Sequence, residues 1–354
     1  MPPERPQRPP RPALPRAVVL LLGTAAAAIT ILGMQQLAWL VAPIFLAFVI
    51  VILVFPIHVW MLQHRVPKAP SLLILLLCIY GVIITLVSIV ALALARLATI
   101  LPTYSSDASG LLASLTVGLG NLGIGTPQLG SLAAALDLRR AGAWLTTLLG
   151  HVVGFGANVV FLLSLLLFCG IESTGAGARL AALADERPAV GQAFRDFARN
   201  TRRFLAVTTV FGLITGFADT LFLLWLDIPL AVLWGLLAAV CNYIPYVGFV
   251  IGLVPPALLA LLDGGWQQML LVIVVYIVLN SLFTTLIQPY FVGDAVGISM
   301  TVTLVALVFW AWVLGPLGAI LAIPLTLLVK GVLIDADPRA GWAQALFGAN
   351  APEG

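Results

Sequence analysis

Long apolar runs, cut by short polar or Gly/Pro breaks, make up most of this 354-residue chain. Runs of roughly Ala17–Met34 and Leu37–Trp60 are joined by the uncharged pair Gln35-Gln36, and each is long enough for a helix of ~20 residues to cross a bilayer. A third run starts near Ser71 and reaches about Pro102, so a helix there either tilts or projects beyond the membrane. His151–Ile171 and Phe204–Leu226 are a fourth and a fifth. From Leu230 to Lys330 the chain is almost continuously apolar and reads as two hairpin-like segments flanking one ordinary span, Trp266–Gln288. The first hairpin, Leu230–Leu262, is interrupted at Asn242-Tyr243-Ile244-Pro245-Tyr246-Val247-Gly248, and the second, Ile298–Lys330, at Gly315-Pro316-Leu317-Gly318. The pattern predicts an all-α, polytopic integral membrane protein of about eight spans with two Gly/Pro-broken hairpin segments. Whether those segments re-enter or cross fully stays open.

Four less apolar regions flank or separate the runs. Residues 1–16, rich in Pro and Arg, read as a disordered cytoplasmic tail, and residues 334–354 as a second cytoplasmic tail. Residues 103–150 are rich in Gly, Ser and Leu and read as an extracytoplasmic or interfacial insertion within the 17–333 membrane domain. Residues 172–203 carry Arg179, Arg187, Arg195, Arg199, Arg202 and Arg203 and read as a cytoplasmic helical segment, because basic residues concentrate on the inner side of spans. The same bias puts the N-terminus on the cytoplasmic side, and counting the spans returns the polar C-terminal tail to that side.

Composition sharpens this picture. The chain is 62% hydrophobic and 9% charged, with a mean hydropathy of +1.13, against about 25% charged for a soluble domain. The net charge of +3 sits at segment ends rather than on an aromatic-interleaved surface, which argues against a nucleic-acid partner. Cys78, Cys169 and Cys241 lie inside apolar runs and read as small buried hydrophobes. His58, His64 and His151 lack metal-ligand spacing, so neither a metal site nor a cofactor is expected. No Walker-type phosphate loop occurs, so the chain has no ATPase of its own, and no catalytic constellation emerges.

The breaks are the first candidates for function, since irregular backbone at membrane depth survives only where protein or a wet cavity satisfies it. Pro245 removes a backbone donor and Gly248 permits angles that other residues resist. Asn242, Tyr243 and Tyr246, with freed carbonyls, then line a polar cavity for a small hydroxylated solute or a coupling ion; a plain cytoplasmic loop with tyrosine anchors is the alternative. Pro255-Pro256 is expected to kink the returning arm, and Asp263-Gly264-Gly265 to end it as a turn. Asn280 and Gln288-Pro289 stand in and at the end of the next span, where an amide either bonds a neighbouring helix or touches solute. Asp219 lies eight residues before Asp227, about 12 Å inside the end of its span at 1.5 Å per residue. It forms either an ion pair with Arg96, at the outer end of the third span, or a proton or sodium site.

The block from Asn242 to Gly248, followed by Pro255, resembles the autoinducer-2 exporter family of bacterial membrane proteins. Gln288-Pro289, Gly293, Gly297, Gly315-Pro316-Leu317-Gly318 and Leu321-Ala322-Ile323-Pro324-Leu325 resemble its second block. The resemblance covers about Ala17 to Leu333. It implies a bacterial inner-membrane permease of about eight spans, oligomeric, exporting a small signalling molecule or in some members exchanging sodium for protons. Family members often carry an acid where this chain has Gln288, and Asp219 occupies a span that is usually more apolar. A scaffold assembled through the third span, the 103–150 region and the Arg-rich segment is the reading from another class.

Overall fold

The computed structural model describes residues 15–100, 146–150, 156–173, 175–292 and 299–335. The readings of residues 1–14, 101–145 and 336–354, and of Gly293 and Gly297, lie outside these. The described residues form helices and turns without a strand, as expected of an all-α membrane protein.

The first three runs become α1 (Arg16–Gln36), α2 (Ala38–Gln63) and α3 (Lys68–Ile100), and the fourth becomes α4 (Gly156–Ser173). The Arg-rich segment is helical and does not end where the fifth run begins: after α5 (Ala176–Glu186), α6 runs from Pro188 to Trp225 as one helix. Pro188 sits at its first position, where a missing N–H costs nothing. At 38 residues α6 is about 57 Å long, so its charged first half continues the axis of its apolar second half.

The first interrupted hairpin is α7 (Ala231–Cys241), a turn over 242–246, and α8 (Val247–Asn280). Helical dihedrals persist through Pro255 and Pro256, where a kink was expected. The one non-helical residue inside α8 is Gly265, at φ 80° and ψ −172°. There the chain doubles back, because Gly248 and Gly252 on one arm and Asn280 and Tyr276 on the other line the same cavity. The second arm continues as a π-helical stretch, Ser281–Ile287, and then α9 (Gln288–Val292). The second interrupted hairpin is α10 (Met300–Leu314), α11 (Pro316–Ile320) and α12 (Ala322–Lys330), followed by a π-helical end, Gly331–Asp335. Gly315 takes φ 71°, a conformation that favours glycine, and a further bend falls at Leu321.

Among the described residues, four helical stretches are long and apolar enough to cross a membrane: Ala38–Gln63, Lys68–Ile100, Pro188–Trp225 and Val247–Ile287, the last of them doubling back at Gly265. Val159–Glu172 and Gly177–Glu186, bent by 64°, add a fifth if they form one span. With 11 and 15 residues, about 16 and 22 Å, α7 and α10 fall short of a ~30 Å hydrocarbon core.

Two apolar cores share α6. One holds Phe197, Phe204 and Leu205 against α2 and the second hairpin, with Trp310 donating to Thr326 Oγ1 at 3.1 Å across that hairpin. The other packs Leu223 against Ala93 and Leu97 of α3, Trp234 and Leu237 of α7, and both arms of α8. Tyr243 and Ile244, in the first break, pack against the core that contains the second break.

Candidate polar cavity at the first break

The site begins with how closely α6 and α7 approach. A Cβ on Gly216 would meet the Gly235 carbonyl, and one on Gly235 would meet both Gly216 O and the Thr220 hydroxyl. Gly212 and Gly216 on α6 face Gly235 and Ala239 on α7, the small-residue crossing that lets membrane helices pack backbone to backbone. The hairpin closes as tightly on its other side: a Cβ on Gly248 would strike the Cys241 carbonyl, and one on Gly252 would lie 3.1 Å from Ala238 Cα. Gly248 is thus required for close approach and not for an unusual φ, since the positive-φ residue of the break is Tyr246 (φ 61°, ψ −54°). With Val247 N–H donating to the Pro245 carbonyl at 2.6 Å, Tyr246 centres a γ-turn of the rare, strained kind.

Among the described residues, close packing leaves a small, partly open space of about 20 Å³, lined by Thr215, Asp219, Ala238, Asn242, Gly248, Phe249, Gly252, Tyr276 and Asn280. That is room for one water-sized guest. Asp219 and Tyr276 are each 2% exposed and Thr215 is 7% exposed. Asp219 Oδ1, Tyr276 OH and Thr215 Oγ1 are all buried without a hydrogen-bond partner. Asn242 Nδ2 is turned towards the Thr208 carbonyl of α6, at 3.4 Å. Asn280 Oδ1 accepts from Thr284 at 3.1 Å. Pro256 has no N–H to give to Gly252, so a residue that lines the cavity carries a carbonyl without its helical donor.

Of the residues singled out in the sequence, the cavity gathers Asp219 from α6, Asn242 from the turn, and Gly248 and Asn280 from the two arms of α8. Others lie elsewhere. Tyr243 donates to Thr209 Oγ1 at 2.7 Å, because the Thr209 hydroxyl proton goes to Leu205 O. Tyr246 is 46% exposed, and Pro245 and Pro255 are half-buried outside the lining. Gln288 is buried with Oε1 unpaired, eight residues beyond Asn280 across the π-helical stretch, and Pro289 follows it in α9. Arg96 is exposed and makes no ion pair with Asp219; the salt bridges among the described residues are Arg179–Glu172, Arg199–Asp196 and Lys330–Asp335. Gly315, Pro316, Gly318 and Pro324 belong to the second hairpin, where Gly318 packs against the Trp310 carbonyl and Pro324 is buried. Among the described residues no cluster of three His, Cys, Asp or Glu is placed to hold a metal ion.

Sequence reasoning missed Thr215, Tyr276 and Gly252. The available signal was spacing: Thr215 and Asp219, and Tyr276 and Asn280, are each four apart and so share a helix face.

The comparisons with known proteins agree with this architecture. The family described as AI-2E family transporter matches residues 18–336. The chain is 31% identical over 314 residues to the AI-2 transport protein TqsA of Escherichia coli K12, covering 88% of this chain and 90% of that one. It is 25% identical over 313 residues to the putative transport protein YhhT of the same organism, covering 88% and 89%. A putative transport protein of Haemophilus influenzae is 26% identical over 345 residues, covering 93% and 95%. A polytopic helical membrane protein with two interrupted hairpins, matched over nearly its whole length, this chain belongs to the AI-2E transporter family.

Proposed function

We propose that the protein is a permease that exports a small polar molecule of the AI-2 type across the bacterial cytoplasmic membrane, without an ATPase of its own. The observation that carries this reading is the polar cavity buried where the first break crosses α6. A lone carboxylate, a phenol, a hydroxyl and two amides inside an apolar membrane bundle cost stability, and such groups persist where a solute or ion uses them. The name of a relative supports the cargo: TqsA is called an AI-2 transport protein. At about 20 Å³ the cavity is smaller than such a molecule, so Asn242, Tyr243, Tyr246, Asn280, Gln288 and Pro289 would contact it once the broken segments part. Gly293, Gly297, Gly315 and Gly318, with Pro245, Pro255, Pro316 and Pro324, are the proposed hinges.

We also propose about eight passes, cytoplasmic termini and a homo-oligomer. The insertion at 103–150 then faces outward and the segment 172–203 inward. Sodium/proton antiport is the second reading, favoured by the cavity's size and its one acid, Asp219. Reconstituted vesicles loaded with AI-2 test the first. Release faster than from protein-free vesicles is expected; release at the same rate under every imposed gradient rejects export.

A further inference from the structure

We propose that the outward face of α6 around Arg195, Arg199 and Arg203 binds an anionic phospholipid of the leaflet on the arginine side. The guanidinium groups take the headgroup, and the apolar continuation of the same face takes an acyl chain. The site does not depend on which cargo the protein carries.

Arg195, Arg199 and Arg203 are exposed and stand four residues apart. Val210, Phe217 and Leu224 follow from Arg203 at steps of seven, and each is more than half exposed. At about 100° per residue all six positions fall within an arc of about 80°, so one face of one helix turns from cationic to apolar. The axial distances fit a bilayer. From Arg203 to Leu224 the helix rises about 32 Å, close to the thickness of a hydrocarbon core. Arg203 then marks one edge of that core, and Trp225, exposed, the interface at the other. Arg199 stands about 6 Å beyond Arg203, inside a headgroup layer of about 5–7 Å. Arg195 stands about 12 Å beyond it, within reach of the layer through its flexible stem.

The charge on this face is not balanced by the protein. Between residues 188 and 203 four arginines stand against one acid, Asp196. Asp196 pairs with Arg199 and accepts from Gln192 at 3.1 Å. Among the described residues, Arg195 and Arg203 make no salt bridge. Arg203 is held without being neutralised: its Nε and Nη2 donate to the Phe291 carbonyl at 3.1 and 3.0 Å, which leaves Nη1 for a further acceptor. A guanidinium fixed in this way suits a phosphate, whose oxygens its planar fork matches. Free phosphate would leave the apolar half of the face uncovered, and a zwitterionic headgroup would bring an ammonium against three cations. An anionic phospholipid satisfies both halves.

The test is the melting temperature of the purified full-length protein in neutral detergent, titrated with phosphatidylglycerol, phosphatidylcholine or inorganic phosphate. Phosphatidylglycerol should raise it saturably, as a ligand of the folded state does, and the other two should not. Arg195→Gln and Arg199→Gln should each move the midpoint of that titration about fivefold upward, the worth of one arginine at an anionic surface. The triple variant Arg195→Gln/Arg199→Gln/Arg203→Gln should abolish the rise. Arg195 and Arg199 make no contact with the Phe291 carbonyl, so their single variants decide the matter if the triple variant fails to fold. Arg187→Gln, about 24 Å from Arg203 along the axis and outside the headgroup layer, should leave the midpoint unchanged. Equal melting temperatures with the two lipids overturn the proposal, and so does a rise that inorganic phosphate reproduces. A midpoint unmoved in both single variants, or moved as far by Arg187→Gln, overturns it as well, since the lipid then binds elsewhere or answers only to bulk charge. In a background without Cys78, Cys169 and Cys241, Phe217→Cys should form no disulfide between copies on oxidation. A cross-linked dimer would show that a second copy covers the face, and would overturn the proposal.

Discussion

Asp219 is the one acid in the apolar half of its helix, with Thr215 one turn before it on the same face, and its Oδ1 is buried without a partner. Its depth and its isolation as an acid were legible in the sequence. Its companions were not, because Thr215 and Tyr276 are ordinary residues in apolar helices until the fold brings them to one cavity. The ion pair with Arg96, plausible from helix position alone, is not formed: Arg96 is exposed while Asp219 is buried. Tyr246 poses a different residue-scale question. Its positive φ stores strain of about 1–3 kcal/mol for a non-glycine residue, while its ring is largely exposed. Tyr246→Gly is therefore expected to melt no lower than the wild type, and a clear drop in melting temperature would show that the ring, not the turn, holds the break.

At the scale of elements, the α6–α7 and α7–α8 contacts depend on missing side chains. Gly216→Ala places a Cβ against the Gly235 carbonyl and the Ala239 side chain, and Gly248→Ala places one against the Cys241 carbonyl. Backbone atoms cannot swing aside, so each substitution should cost about 1–3 kcal/mol, as overpacking does elsewhere. Thermal unfolding checks this, with Gly81→Ala, in open space, as the neutral comparison. Span positions were readable from hydropathy to within a few residues, and the break at Asn242–Gly248 from its proline. Pro255 and Pro256 keep helical dihedrals, since a proline can be carried in a helix whose lost donors are tolerated locally. The π-helical stretch Ser281–Ile287 left no sequence signature, because its widening is set by packing. Beyond it, Arg203 donates from Nε and Nη2 to the Phe291 carbonyl at 3.1 and 3.0 Å, and Phe211 meets the Phe291 ring at 5.5 Å. Arg203→Ala should loosen this junction, read as faster amide hydrogen exchange over 288–292 with exchange over 250–262 unchanged.

On the scale of the whole molecule, the cavity is asymmetric along α6. Towards the Arg-rich end, buried hydroxyls without partners recur at Thr208 and Thr201, seven and fourteen residues before Thr215 and so on nearly the same face. Towards the other end Leu223, Trp234, Leu259 and Val272 are fully buried and close it with apolar side chains. In a background lacking Cys78, Cys169 and Cys241, Thr208→Cys is expected to react with a membrane-impermeant thiol reagent applied on the Arg203 side, and Leu223→Cys from neither side. The sequence held the family and the apolar architecture, but not this asymmetry, which arises only when helices distant along the chain are packed together.

The most direct measurement is AI-2 flux through proteoliposomes containing wild-type protein or the Asn242→Ala/Asn280→Ala double variant, which removes both amides from the cavity while leaving the apolar cores intact. If the crossing of α6 with the first break is the working site, wild-type flux exceeds that of empty vesicles and the double variant falls to their level. Wild-type flux retained in the double variant would contradict it.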